Sequence, residues 1–169
     1  MEISSLSQSS IKIKGKQAAI AIDPDNKTVA DFVIELLSSG TKLSLVEGQR
    51  LLISGPGEFE VGGIKVSGTG KQGALVYTIR VDNVDVCLST PEGLKAAGEK
   101  LKEAQIVIVN ANTSVDSSSI TSLAPSVVVL YGEHAVEGVK ALGKEPNKVS
   151  KYVTTLEKLP TELEVVVLG

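Results

Sequence analysis

Two short runs without a polar residue, Ile106–Val109 and Val127–Leu130, constrain this chain more than any other feature. A strand that is apolar at every position must be covered on both faces, as in a parallel sheet with helices packed against it. The neighbouring segments supply such helices. Between Pro91 and Glu103, Leu94, Ala97 and Leu101 share one helical face while Lys95, Glu99 and Lys102 face water, and Pro91 suits a first turn. A short helix is expected over Ser117–Leu123, and another over Ala135–Leu142, ended by Gly143 and Pro146.

The first half carries a different period. Ile3–Leu6, Ser10–Lys14 and Ala18–Ile22 alternate and are broken by Gly15 and Asp23-Pro24, which predicts a meander. Val29–Leu37 fits either an amphipathic helix or a buried strand, and strand is the favoured reading. Leu51–Ser54, Glu58–Val61 and Ile64–Ser67 follow as hairpins around Gly55-Pro56-Gly57 and Gly62-Gly63. Leu75–Val81 and Val84–Leu88 flank the two-residue turn Asp82-Asn83, the plainest hairpin in the chain. Tyr152–Thr154 and Glu164–Leu168 read as closing strands. Hairpins followed by alternating helices and buried strands predict an α+β domain over residues 1–169, with mixed sheets layered under outer helices.

The chemistry available is narrow, because the chain has one histidine, His134, and one cysteine, Cys87. Zinc sites draw on clusters of Cys, His and carboxylate, and Ser-His or Cys-His hydrolysis needs a nucleophile held against a partnered base. Neither can be assembled in its usual form. With 17 basic and 20 acidic residues, a net charge of −3 and 3% aromatics, the chain has no basic tract to neutralise phosphates and few rings to stack bases, so nucleic acid is not an expected partner. Lys12, Lys14 and Lys16 alternate as the solvated face of a strand would. No apolar run approaches the roughly 20 residues of a membrane span, and Met1–Ser10 lacks the pattern of a signal peptide. With Cys87 unable to form an internal disulfide, the expectation is a cytoplasmic protein that does not engage membranes.

Several motifs match in letters only. Gly68-Thr69-Gly70-Lys71-Gln72-Gly73 spells GxGxxG, but a strand, Ala74–Val81, follows where a dinucleotide site needs a helix N-terminus, so it reads as a hairpin turn. Ser9–Lys12 and Ser39–Lys42 spell SxxK without the SDN or KTG companions of the serine beta-lactamases. Cys87, between Val86 and Leu88, reads as a small core hydrophobe, and His134 as a first-turn surface residue.

The run Ser7-Gln8-Ser9-Ser10-Ile11-Lys12-Ile13, the strand ending at Asp23-Pro24 and, above all, Gly55-Pro56-Gly57-Glu58-Phe59-Glu60-Val61-Gly62-Gly63-Ile64 resemble the metallo-beta-lactamase-like hydrolases. The likeness is to the small subfamily of predicted zinc-dependent hydrolases with a GPGE(Y/F)E signature. The ending from Leu159-Pro160 to Leu168 is similar to that subfamily's last strand. The resemblance implies a four-layer αββα sandwich, two sheets face to face with helices outside. It also implies zinc ligands that this chain lacks. Gln8 stands where the family opens with a histidine, and Leu37-Ser38-Ser39-Gly40-Thr41-Lys42-Leu43 stands where the HxHxDH loop belongs. Ser89-Thr90-Pro91-Glu92 replaces the segment of the bridging aspartate, and Tyr131-Gly132 the last histidine, unless His134 has moved into its role.

Imidazoles and carboxylates hold the metal that lowers a bound water's pKa to about 7. Uncharged oxygens at those positions do not replace them. The leading expectation is therefore a catalytically inactive, metal-free relative with no cofactor and a structural or binding role, for a small-molecule or protein ligand that the sequence does not name. The residues of the former cleft would be Gln8, Asp23, Ser38, Ser39, Ser89, Thr90, Glu92, Gly132 and His134. The alternative is a divergent hydrolase in which Glu92, Asp23 or His134 serves as a base. A homo-oligomer, covering exposed strand edges, is compatible with either.

Overall fold

The computed structural model describes residues 1–37 and 41–169. Its first strands, β1 (Glu2–Ser5), β2 (Ile11–Lys14) and β3 (Ala19–Ile22), form the expected antiparallel meander. The ambiguous stretch resolves into two short strands, β4 (Thr28–Val29) and β5 (Phe32–Ile34), the latter parallel to β3. A 3-10 turn at Leu43–Leu45 leads to β6 (Val46–Glu47), paired with β4, and then to β7 (Leu51–Ile53), parallel to β5.

The chain next crosses through Gly55-Pro56 into a second sheet, with β8 (Gly57–Val61), β9 (Ile64–Lys71), β10 (Ala74–Val81) and β11 (Val84–Ser89) in successive hairpins. From there the sheet turns parallel: α1 (Pro91–Ala97), β12 (Ile106–Asn110), α2 (Ser117–Thr121), β13 (Val127–Tyr131) and α3 (Ala135–Ala141). Strand β14 (Lys148–Val149) extends this sheet, β15 (Lys151–Val153) closes the first one against β1, and β16 (Glu164–Leu168) pairs with β13. The two large sheets run in the orders β15-β1-β2-β3-β5-β7 and β14-β16-β13-β12-β11-β10-β9-β8.

The sheets pack face to face. Ile3, Ile11, Ile13, Ile20, Ile22, Phe32 and Ile34 from one meet Tyr77, Ile79, Val86, Leu88, Ile108, Val129 and Tyr131 from the other. Burying each such aliphatic side chain is worth roughly 1.5–3 kcal/mol. The opposite face of the larger sheet, through Val107, Val109, Val128 and Leu130, packs on Leu94 of α1, Ile120 of α2 and Val139 of α3. This is why those strands are apolar throughout. Beyond the smaller sheet the outer layer is slight: Ala21 and Val33 pack under Ala30 and Val46, with Leu43 alongside.

Three details depart from the sequence reading. Helix α1 ends at Ala97, short of Glu103, because Gly98 turns to φ +52° and a 3-10 turn, Gly98–Lys100, follows. Most of the GxGxxG run is strand, since Gly68 to Lys71 belong to β9 and only Gln72-Gly73 form the turn. The helices α1 to α3 all lie on the larger sheet. No helix among the described residues is long and apolar enough to cross a membrane.

Candidate functional site

Strands β12 and β13 end side by side, with Asn110 in register with Tyr131. Both are buried, and the Tyr131 ring points between the sheets. Facing them from the end of β3 is Asp23, 7% exposed, and near it is the inward-facing Tyr77 of β10. Asp23 sits at φ +45°, a left-handed conformation that a short polar side chain tolerates.

Its carboxyl is committed to the chain that follows β5. Oδ1 accepts the N–H of Leu36 at 2.9 Å and of Leu37 at 3.1 Å, and Oδ2 accepts that of Leu37 at 3.2 Å. Glu35 is committed likewise, its Oε1 accepting the N–H of Thr41 at 3.0 Å. Burial raises the Asp23 pKa from 3.8 to about 7, the two backbone N–H groups opposing and Glu35 adding to the rise. Burial, then the charges of Asp23 and Glu35, push the Tyr77 phenol up to about 12. Tyr131 is raised well above its usual value by burial first and Asp23 second. Asn110 eases that rise, yet among the described residues neither Tyr131 Oη nor Asn110 Nδ2 reaches a protein partner at hydrogen-bond geometry.

The loop between β7 and β8 lies over this cluster. Tyr77 Oη donates to Gly55 O in a long contact of 3.4 Å. Gly68 makes the approach possible, because a Cβ there would stand 2.8 Å from both Gly55 O and the Tyr77 ring. The Gly55-Pro56-Gly57 block and the first glycine of the GxGxxG run thus serve one packing contact.

The residues singled out in the sequence fall in separate settings. Of those among the described residues, Asp23 alone belongs to the cluster between the sheets. Gln8 is exposed and lines a shallow cavity with Gly132, Glu133, Lys148 and Gly169. Gly132 adopts φ +103°, with Ala111 O and Asn110 Oδ1 both 3.0 Å from where a Cβ would be. Ser89 faces the helix layer, donating to Leu75 O at 2.8 Å, and Thr90 caps α1 by accepting the Gly93 N–H at 3.2 Å. Exposed Glu92 is hydrogen-bonded by the Thr113 hydroxyl. Burial tends to raise its pKa, but bonds from Thr113, its own backbone and Thr90 outweigh that and leave it low. His134 precedes α3 half-buried, its N–H donating to Ala111 O at 2.8 Å and its ring making no capping bond. Ser38 and Ser39 lie outside the described residues.

Tyr77, Asn110, Tyr131 and Glu35 did not stand out in the sequence. The available signal was slight: two tyrosines at inward strand positions, and an asparagine ending an otherwise apolar run.

This donor set does not fit a zinc ion, which takes deprotonated thiolate, imidazole or carboxylate ligands. Here the phenols are held protonated and both carboxyl groups already serve backbone donors. Among the described residues no three His, Cys, Asp or Glu side chains converge.

The two stacked mixed sheets with helices outside are a metallo-beta-lactamase-type sandwich. The structure of a proposed zinc-dependent hydrolase of the metallo-beta-lactamase superfamily from Thermotoga maritima superimposes with a TM-score of 0.76, covering 99% of this chain and 98% of that one at 19% identity. No protein-family model and no curated protein matches the sequence.

Proposed function

We propose that this chain is a metal-free, non-hydrolysing protein built on the metallo-beta-lactamase sandwich, acting as one cytoplasmic domain with a structural or binding role. The observation that carries this reading is the commitment of Asp23, whose two carboxyl oxygens tie down the backbone of Leu36 and Leu37. A carboxyl used in this way organises a loop and leaves little lone-pair capacity for a cation. The rest of the cluster is phenol and amide, groups that do not generate hydroxide at neutral pH.

The test is elemental analysis of protein purified with zinc and manganese supplied, joined to a screen of phosphodiester, lactone and thioester substrates. Substoichiometric metal and no turnover are expected. About two equivalents of tightly held metal would overturn the reading.

One observation favours a hydrolase instead, the near-neutral pKa of Asp23, which suits a general base. Turnover lost in Asp23→Asn would establish that reading. Glu92 is a poorer candidate, since its low pKa makes it a weak base. Light scattering distinguishes a monomer from a closed oligomer under either reading.

A further inference from the structure

Helix α1 packs on the outer face of β10 and touches β9, and where its C-terminal end meets these strands they enclose a groove of about 500 Å³. Its floor and wall are apolar: Ala74 and Val76 from the sheet, Ala97 and Leu101 from α1 and the chain after it. Two cations line it, Lys71 from the end of β9 and Lys100 from the 3-10 turn, and no carboxylate does. Among the described residues neither ammonium is in an ion pair, as is true of most lysines of the chain.

We propose that this groove binds a medium-chain fatty carboxylate, its alkyl chain on the apolar floor and its head group between the solvent and the two lysines. The size of the groove suits a small molecule. Its volume falls within the range of about 300–1,000 Å³ typical of small-ligand sites, which are mostly apolar with a few placed polar groups. Unpaired cations beside an apolar surface complement a ligand with one negative end and an uncharged remainder. The site lies on the helix side of the sheet, away from the Asp23 cluster, and stands whether or not the chain is metal-free.

The experiment is calorimetric titration of the full chain with decanoate, nonanoate and octanoate below their micelle concentrations, with amide shifts locating the site. Saturable one-to-one binding is expected, weakening about fourfold for each methylene removed. Replacing both cations, Lys71→Gln with Lys100→Gln, should weaken decanoate roughly tenfold and leave decanol unchanged. Ala96→Phe, at an exposed position lining the groove, should block binding without touching the core. The proposal fails if nothing saturates below the micelle concentration, if decanol binds as well as decanoate, if the variants have no effect, or if an acidic apolar peptide occupies the groove in preference.

Discussion

Asp23 Oδ1 accepts the N–H of Leu36 at 2.9 Å, so the end of β3 fixes the chain leaving β5 through a carboxyl that is almost fully buried. Burial pushes the pKa of that carboxyl up from the ordinary 3.8 to about 7. A raised carboxyl pKa means that the folded state holds a proton the unfolded chain has released. The associated stability is complete below pH 4 and is lost as the pH rises through about 7. The rise from 3.8 to about 7 corresponds to at most roughly 4 kcal/mol. Thermal melts between pH 5 and pH 8 should therefore fall by roughly 5–10 °C more for the native chain than for Asp23→Asn. Asparagine keeps an acceptor and tolerates the left-handed backbone, so the variant isolates the titration. Equal slopes in the two proteins would refute the assignment.

Among the described residues no protein atom meets the buried Tyr131 hydroxyl at hydrogen-bond geometry. An unpaired buried polar group costs about 1–3 kcal/mol, so deleting it should stabilise the fold. Tyr131→Phe is expected to gain about 1 kcal/mol, seen as a rise of roughly 2–4 °C in Tm. A loss of similar size would mean that the hydroxyl has a partner worth keeping.

The architecture was readable where one physical rule acted alone. Asp82-Asn83 takes positive φ at both residues, the demand of a tight hairpin, and Val81 pairs with Val84 as the alternation requires. Ile106–Val109 and Val127–Leu130 are apolar throughout because one face meets the other sheet and one the helices. The site was less readable because its members follow core rules. Tyr77 and Tyr131 occupy inward positions that any large side chain could fill, and only the opposite sheet brings Asp23 to them. Ser89 misled for a related reason: a one-residue step along β11 reverses the face, so it points into the helix layer while Leu88 points between the sheets.

Cys87 is buried among the residues under the helices, and burial lifts its thiol pKa to about 12. At pH 8 only about one thiol in ten thousand would be ionised, and the thiolate is the reactive form. Titration of the folded protein with a disulfide reagent should therefore show essentially no reaction, with one thiol appearing when urea is added. Prompt reaction in the absence of denaturant would contradict this placement.

Gly93 provides the sharpest test of how α1 meets the larger sheet. In an open helix Ala outranks Gly by about 1 kcal/mol, so Gly93→Ala would ordinarily stabilise. At this position a Cβ would stand 2.2 Å from Ser89 Oγ and 2.6 Å from Leu75 O. Overpacking of that kind costs typically 1–3 kcal/mol or more, which reverses the sign. Urea unfolding should show Gly93→Ala destabilised by about 2 kcal/mol. Removing the hydroxyl through Ser89→Ala relieves the first contact, but Leu75 O is backbone and stays. Gly93→Ala should therefore remain destabilising in the Ser89→Ala background, by a smaller amount. A helix that tolerates alanine in both backgrounds would have to sit farther from β10 than this packing places it.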